Sequence, residues 1–213
     1  DTTQKKMLQH VLRHFFSVKK TEVASDLLGS ARALCANEPG IVCILGTGSN
    51  TAYYTGKTLG FKTKSLGYLL GDEGSGNALG KKVLQYYLHG IFDSFLMQAF
   101  EEMYPDREAD IMQHLYRQPF PNRYLATFAS FLFRHRGHFM VENIIEDALN
   151  DFFLTHLIRY PHIHRLPVHF SGSIAFYLQE ELRQICGQYE MQTGLIVQKP
   201  IQRLAAFHLA NQR

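Results

Sequence analysis

Apolar residues along this chain switch between helical and strand-like spacing, and the switches mark out its elements. Leu8, Val11, Leu12 and Phe15 share one helical face behind Asp1-Thr2-Thr3, which can cap a helix. A short extended stretch, Thr21 to Ser25, then delivers Asp26 to a strand end. Leu27 to Ala36 resumes as helix, with Gly29, Ser30, Ala31 and Ala33 small enough for close packing. Beyond the Asn37-Glu38-Pro39-Gly40 turn, Ile41-Val42-Cys43-Ile44-Leu45 is unbroken and apolar, as in a strand buried on both faces. Thr51 to Thr55 predicts a second strand, Gly56-Lys57 turns the chain, and residues near Gly60 to Ser65 form a third. The three make an antiparallel meander.

From Asn77 the spacing is helical. Leu79, Val83, Tyr86 and Tyr87 make one stripe, and Phe95, Ala99 and Met103 another. Pro119, Pro121 and Asn122 break the pattern before a helix from Arg123 to about His135. Val141, Ile144, Ile145, Ala148, Leu149 and Phe152 give the clearest helical face of the chain. Tyr160-Pro161 and Pro167 bound a loop, and Val168-His169-Phe170 enters a strand that stops at Ser171-Gly172-Ser173. A helix follows through Ile174, Leu178, Leu182 and Ile185, then a strand Leu195-Ile196-Val197 and a last helix Ile201 to Ala210. The order is meander, helical insert, then strand–helix–strand–helix.

Composition narrows the function classes. With 46% hydrophobic and 19% charged residues the chain can bury a large core, which excludes disorder. A net charge of +3 rests on dispersed cations. Lys5-Lys6, Lys19-Lys20 and Lys81-Lys82 are isolated pairs, which read as solvated faces, not a nucleic-acid footprint. No apolar stretch approaches the ~20 residues of a membrane span, and no signal peptide is expected. Cys35, Cys43 and Cys186 are odd in number and far apart, so they read as reduced thiols of a cytoplasmic protein. His162-x-His164 lacks Cys or carboxylate partners at ligand spacing and reads as a polar loop, not a metal site.

Two glycine-punctuated loops carry the candidate chemistry. Leu45-Gly46-Thr47-Gly48-Ser49-Asn50 is a tight β-hairpin or a phosphate cradle, in which backbone N–H groups and hydroxyls wrap an anion. Asn50 offers a donor and an acceptor to a pair of sugar hydroxyls. The second loop, Ser65 to Gly76, contains Gly67 and the acidic run Gly71-Asp72-Glu73-Gly74-Ser75. Its carboxylates suit a surface turn, a hydroxyl substrate or a magnesium ion. One loop for phosphate and one for a polyol is the equipment of a small-molecule kinase or ATPase.

The element order and these residues resemble the BadF/BadG/BcrA/BcrD-type ATPase family, in its N-acetylglucosamine kinase-like branch. The resemblance rests on Gly46-Thr47-Gly48-Ser49-Asn50, on Gly67-x-x-x-Gly71-Asp72-Glu73-Gly74-Ser75 and on Ser171-Gly172-Ser173, and runs from about Val23 to the last helix. It implies an α/β, ribonuclease H-like (actin-like ATPase) fold, a mixed sheet flanked by helices. It further implies a remnant of the first lobe over 1–39, and a second lobe over 40–213 with a helical insert at about 77–165. The activity implied is ATP-dependent phosphorylation of an amino sugar, with ATP and Mg2+ as cofactors, a small-molecule sugar as partner, and a homodimer, common in the family. The family's Asp-Gly-Gly-x-Thr phosphate motif is not in these residues, so the chain is expected to be N-terminally truncated and inactive alone.

By the same resemblance Asp26 is the general base that takes the proton of the attacking hydroxyl; its other reading is an N-cap for the Leu27 helix. Gly46, Thr47, Gly48 and Ser49 hold phosphates, and Gly172 and Ser173 contact adenosine; the plainer reading of the latter is a Ser-capped helix start. Asn50, Gly67 and Asp72 face the sugar. Glu73 orients water or magnesium, or holds its loop through backbone N–H groups. Two positions depart from the family: Lys64-Ser65-Leu66-Gly67 replaces a Gly-Gly-Trp-Gly stretch, and Arg203 stands where a glycine is usual. The competing classes are an ATPase activator of a metalloenzyme, which would need interface cysteines, and a sugar- or nucleotide-binding module without turnover.

Overall fold

The computed structural model describes residues 2–19 and 21–211. Asp1 of the first helix cap and Lys20 of the second lysine pair lie outside the described residues. The chain runs α1 (Thr2–Phe16), α2 (Asp26–Cys35), β1 (Pro39–Leu45), β2 (Ser49–Thr55) and β3 (Leu59–Lys62). Next come α3 (Gly67–Leu70), α4 (Gly76–Leu88), α5 (Ser94–Met103), α6 (Glu108–Arg117), α7 (Pro121–Thr127), α8 (Ala129–Arg134) and α9 (Phe139–Phe152). A π-helical turn (Phe153–Leu157) and a 3-10 turn (Ile163–Arg165) lead to β4 (Val168–Ser171), α10 (Ser173–Tyr177), α11 (Gln179–Gln188), β5 (Thr193–Val197) and α12 (Ile201–Ala210).

The strands form one mixed sheet in the order β3-β2-β1-β4-β5. β2 is antiparallel to β1 and to β3, whereas β1, β4 and β5 are parallel. β1 is central and buried on both faces, the physical reason for its unbroken apolar run. On one face Ile41, Cys43, Leu45 and Phe170 join the large core supplied by the helices between β3 and β5. On the other, Val42, Ala52 and Tyr54 pack against Leu27, Ala31, Leu34 and Cys35 of α2.

Several boundaries differ from the sequence reading. No strand forms over 21–25; Asp26 opens α2 directly, and Ser25 is the N-cap, its Oγ accepting the Leu28 N–H at 3.2 Å. β2 begins at Ser49, because Leu45 and Ser49 pair across the hairpin. β3 ends at Lys62, where Thr63 leaves the sheet to donate its N–H to Tyr160 Oη and its hydroxyl to the His156 carbonyl. The helix expected over Arg123 to His135 is broken at Phe128, and that expected through Ile174 to Ile185 at Leu178. On α5 the buried side chains are Leu96 and Phe100, while Phe95 is exposed. The apolar face of α1 is largely uncovered among the described residues: Leu8, Val11 and Phe15 are exposed, Phe15 at 76%, and Leu12 is half-buried.

His169 on β4 is buried, and burial holds its pKa below the ordinary value of about 6.5. Its Nδ1 accepts the Leu195 N–H at 2.9 Å, which ties β4 to β5 through a neutral ring. The unfolded chain binds the proton more tightly, so this contribution is complete above about pH 6.5 and is lost as pH falls below it. Thermal melts at pH 7 and pH 5 are expected to show a drop in Tm that shrinks in His169→Asn, whose side-chain oxygen still accepts from Leu195.

Candidate functional site

Parallel strands end at Leu45, Ser171 and Val197, and the polar loops gather beyond those ends, the usual ligand edge of an open α/β sheet. The Gly46-Thr47-Gly48 hairpin tip is held from below. Gly46 O accepts the Gly76 N–H at 2.8 Å and Thr47 O accepts the Asn77 N–H at 3.0 Å, so the start of α4 is stitched to the hairpin. Gly46 N–H closes the turn on Gly48 O at 3.0 Å. Among the described residues the N–H groups of Thr47 and Gly48 have no acceptor.

The acidic loop meets the hairpin here. Asp72 adopts φ +64°, a left-handed conformation that Asp tolerates, and its Oδ1 accepts the Ser49 N–H at 3.2 Å. A Cβ on Gly48 would stand 2.9 Å from Asp72 Oδ2, so glycine is what lets the carboxylate lie on the turn. The predicted phosphate loop and carboxylate loop are therefore adjacent. Asn50 Oδ1 accepts the Thr51 N–H at 3.0 Å, which leaves its amide NH2 as the donor end.

Gly172 joins the hairpin from β4. At φ +114° it leads into α10, and a Cβ there would lie 2.2 Å from Leu45 O. Gly172 occupies the cap position of α10, so the Ser-capped start is not what forms. It also lines a cavity of about 530 Å³ with Ser25, Asp26, Gly29, Ser30, Arg32 and Ser171. Asp26 is exposed in that wall, its Oδ1 accepting the adjacent Leu27 N–H at 2.8 Å. Arg32 brings a cation to the same wall, paired with Glu22 at 3.0 Å, which the sequence reading did not single out. Ser173 faces elsewhere, toward a cavity with Thr127 and Ser130.

Glu73 turns to the other side, where it lines a cavity of about 470 Å³ with Leu69, Leu70, Gly71, Lys81 and Lys82. Its Oε2 is 2.8 Å from His156 Nε2, a contact with a side chain and not with backbone N–H groups. His156 went unnoticed in the sequence; the only signal is a histidine set among Phe152, Phe153 and Leu157. Gly67 stands one short turn away, at the exposed start of α3, where its carbonyl accepts the Gly71 N–H.

The donor set fits a nucleotide's oxyanions. Free N–H groups at Thr47 and Gly48 lie beside Ser49 Oγ, a buried atom without a partner, and Gly46 faces open space. Among the described residues no group of three His, Cys, Asp or Glu side chains converges on a metal position. The three thiols are buried in α2, β1 and α11, and burial pushes Cys35 up to about 12 and raises Cys43 and Cys186. None is exposed for a cluster shared across an interface.

A Porphyromonas gingivalis protein named "Putative N-acetylglucosamine Kinase" is 38% identical to this chain, with a TM-score of 0.94; the match covers 98% of this chain and 74% of that one. The chain belongs to the N-acetylglucosamine kinase-like family. A second member by name, from Chromobacterium violaceum, is 21% identical over 92% of this chain and 70% of its own, with a TM-score of 0.66, which shows the shared fold alone. No family model and no curated protein matches this N-acetylglucosamine kinase-like chain. Among its described residues no helix is long and apolar enough to cross a membrane.

Proposed function

We propose that this protein transfers a phosphoryl group from ATP to a hydroxyl of an amino sugar of the N-acetylglucosamine class. The observation that carries the reading is the Asp72 carboxylate lying on the Gly48-Ser49 turn, with Ser49 N–H on its Oδ1. That contact sets a sugar-binding carboxylate beside a set of phosphate donors. Strand order β3-β2-β1-β4-β5 with β2 alone reversed supports a ribonuclease H-like ATPase fold. Membership of the family supports the sugar as acceptor.

Bound ATP, with its magnesium, supplies the transferable phosphoryl group. The Thr47 and Gly48 N–H groups and Ser49 Oγ would hold its oxyanions, and the backbone of Gly172, packed against Leu45, would form part of the cavity wall for the nucleoside. Asp72 and the Asn50 amide orient the sugar. Asp26 accepts the proton of the attacking hydroxyl, where positioning and charge neutralisation do most of the catalysis.

The test is coupled ATP turnover by the full-length protein with a panel of hexoses and hexosamines. N-acetylated hexosamines are expected to raise turnover well above background; no response to any sugar overturns the reading. Asp72→Ala removes hydrogen bonds to a charged group, each worth about 1.5–3 kcal/mol. The sugar KM is therefore expected to rise roughly ten- to hundredfold.

A further inference from the structure

We propose that His156 is a positioning residue that sets the acidic loop for sugar binding through Glu73; this rests on the sugar-kinase reading above. The helix α9 does not simply end. It passes into the π-helical turn Phe153–Leu157, a rare irregularity concentrated at functional sites. Phe152, Phe153 and Leu157 are fully buried, so the turn carries His156 into the interior, 5% exposed. Its ring packs on Phe152 with centroids 5.2 Å apart.

Among the described residues only one of the two ring nitrogens has a partner. Nε2 meets Glu73 Oε2 at 2.8 Å, while Nδ1 is buried with no partner. An ionised carboxylate only accepts, so Nε2 carries the proton and the whole polar role of the ring is spent on Glu73. The backbone of the same turn is tied to the other loop. Thr63 Oγ1 donates to the His156 carbonyl at 3.3 Å, and Thr63 N–H donates to Tyr160 Oη. Tyr160 Oη lies 2.7 Å from Thr51 Oγ1, one residue beyond Asn50.

One turn thus holds the acidic loop by a side chain and Thr63, just past β3, by its main chain, and Thr63 and Tyr160 in turn reach Thr51 of the hairpin strand by their side chains. Glu73 adjoins Asp72, whose left-handed backbone aims its carboxylate at Ser49 N–H. Holding Glu73 holds that conformation. The hairpin's grip on α4, through Gly46 O and Thr47 O, does not pass through His156. Loss of the ring is therefore expected to act on the sugar and spare the nucleotide.

The experiment compares wild type, His156→Leu and His156→Gln. It measures KM for N-acetylglucosamine and for ATP, Tm, and amide hydrogen exchange over residues 71–76. In His156→Leu the sugar KM is expected to rise several-fold, up to roughly tenfold, as part of the worth of one hydrogen bond to a charged group passes to the sugar. The ATP KM should hold, and exchange over 71–76 should quicken well below Tm. His156→Gln, whose amide can donate to Glu73, should recover most of both effects. An unchanged sugar KM, a parallel rise of both KM values, or a Gln variant no better than Leu overturns the proposal. If wild type turns over no sugar, the kinase reading fails by itself; unaltered exchange in His156→Leu then still overturns the anchoring role.

Discussion

Replacing Asp26 by Asn is expected to lower sugar-dependent ATP turnover by about two to four orders of magnitude, the span of general acid–base catalysis, with little change in stability. The structure separates the two uses of this residue. Ser25, not Asp26, caps α2, and among the described residues the Asp26 carboxylate accepts only the Leu27 N–H beside it. An exposed acidic group in the first helical turn contributes about 0.3–1 kcal/mol through the helix dipole. A melt that barely moves, together with a collapse of kcat, identifies a proton acceptor. A variant retaining most of its kcat would leave Asp26 a helix-start residue, and the base would have to be sought elsewhere in the 530 Å³ cavity it lines.

Gly172→Ala is expected to destabilise the fold by about 3–5 kcal/mol, combining left-handed backbone strain with overpacking. The new methyl would meet Leu45 O at 2.2 Å and Leu45 C at 2.7 Å, both main-chain atoms of the central strand. Neither can swing aside as a side-chain end would. Relief requires β1 and β4 to part at the edge where Gly46 begins the hairpin, so any folded fraction should also bind nucleotide poorly. For a protein of this length the loss corresponds to a fall in Tm on the order of 10 °C. Differential scanning calorimetry and nucleotide titration check the two parts. Gly46→Ala is the informative contrast, because a Cβ there meets nothing within 4 Å.

Much of this site was legible before any coordinates. Gly46 to Asn50 and Gly71 to Ser75 stand out as polar, glycine-punctuated loops because glycine and carboxylate spacing is local information; that the two loops touch is not. The buried strand Ile41–Leu45 and the α9 face of Val141, Ile144, Ile145, Leu149 and Phe152 follow from periodicity, which reports burial directly. Short pieces were not legible. Gly67 to Leu70 forms a single helical turn, too brief to show a period. The cap at Ser25 instead of Asp26 turns on one hydrogen bond, and two adjacent capping residues carry the same signal. The face of α1 reads as a core stripe, yet burial depends on a partner surface that the pattern of one helix cannot reveal.

Sequence alone determined the strand and helix order, the two polar loops and the family they resemble, since each depends on residues close together in the chain. Tertiary structure alone decided which of these residues meet. Asp72 reaches Ser49 across 23 positions and Glu73 reaches His156 across 83. Ser173 parts from Gly172 into a different cavity, although the two are adjacent in sequence. Such pairings arise from how helices pack over a sheet, and no local spacing encodes them. A polar residue in an apolar run, such as His156, shows its purpose only when the chain folds and supplies the carboxylate it faces.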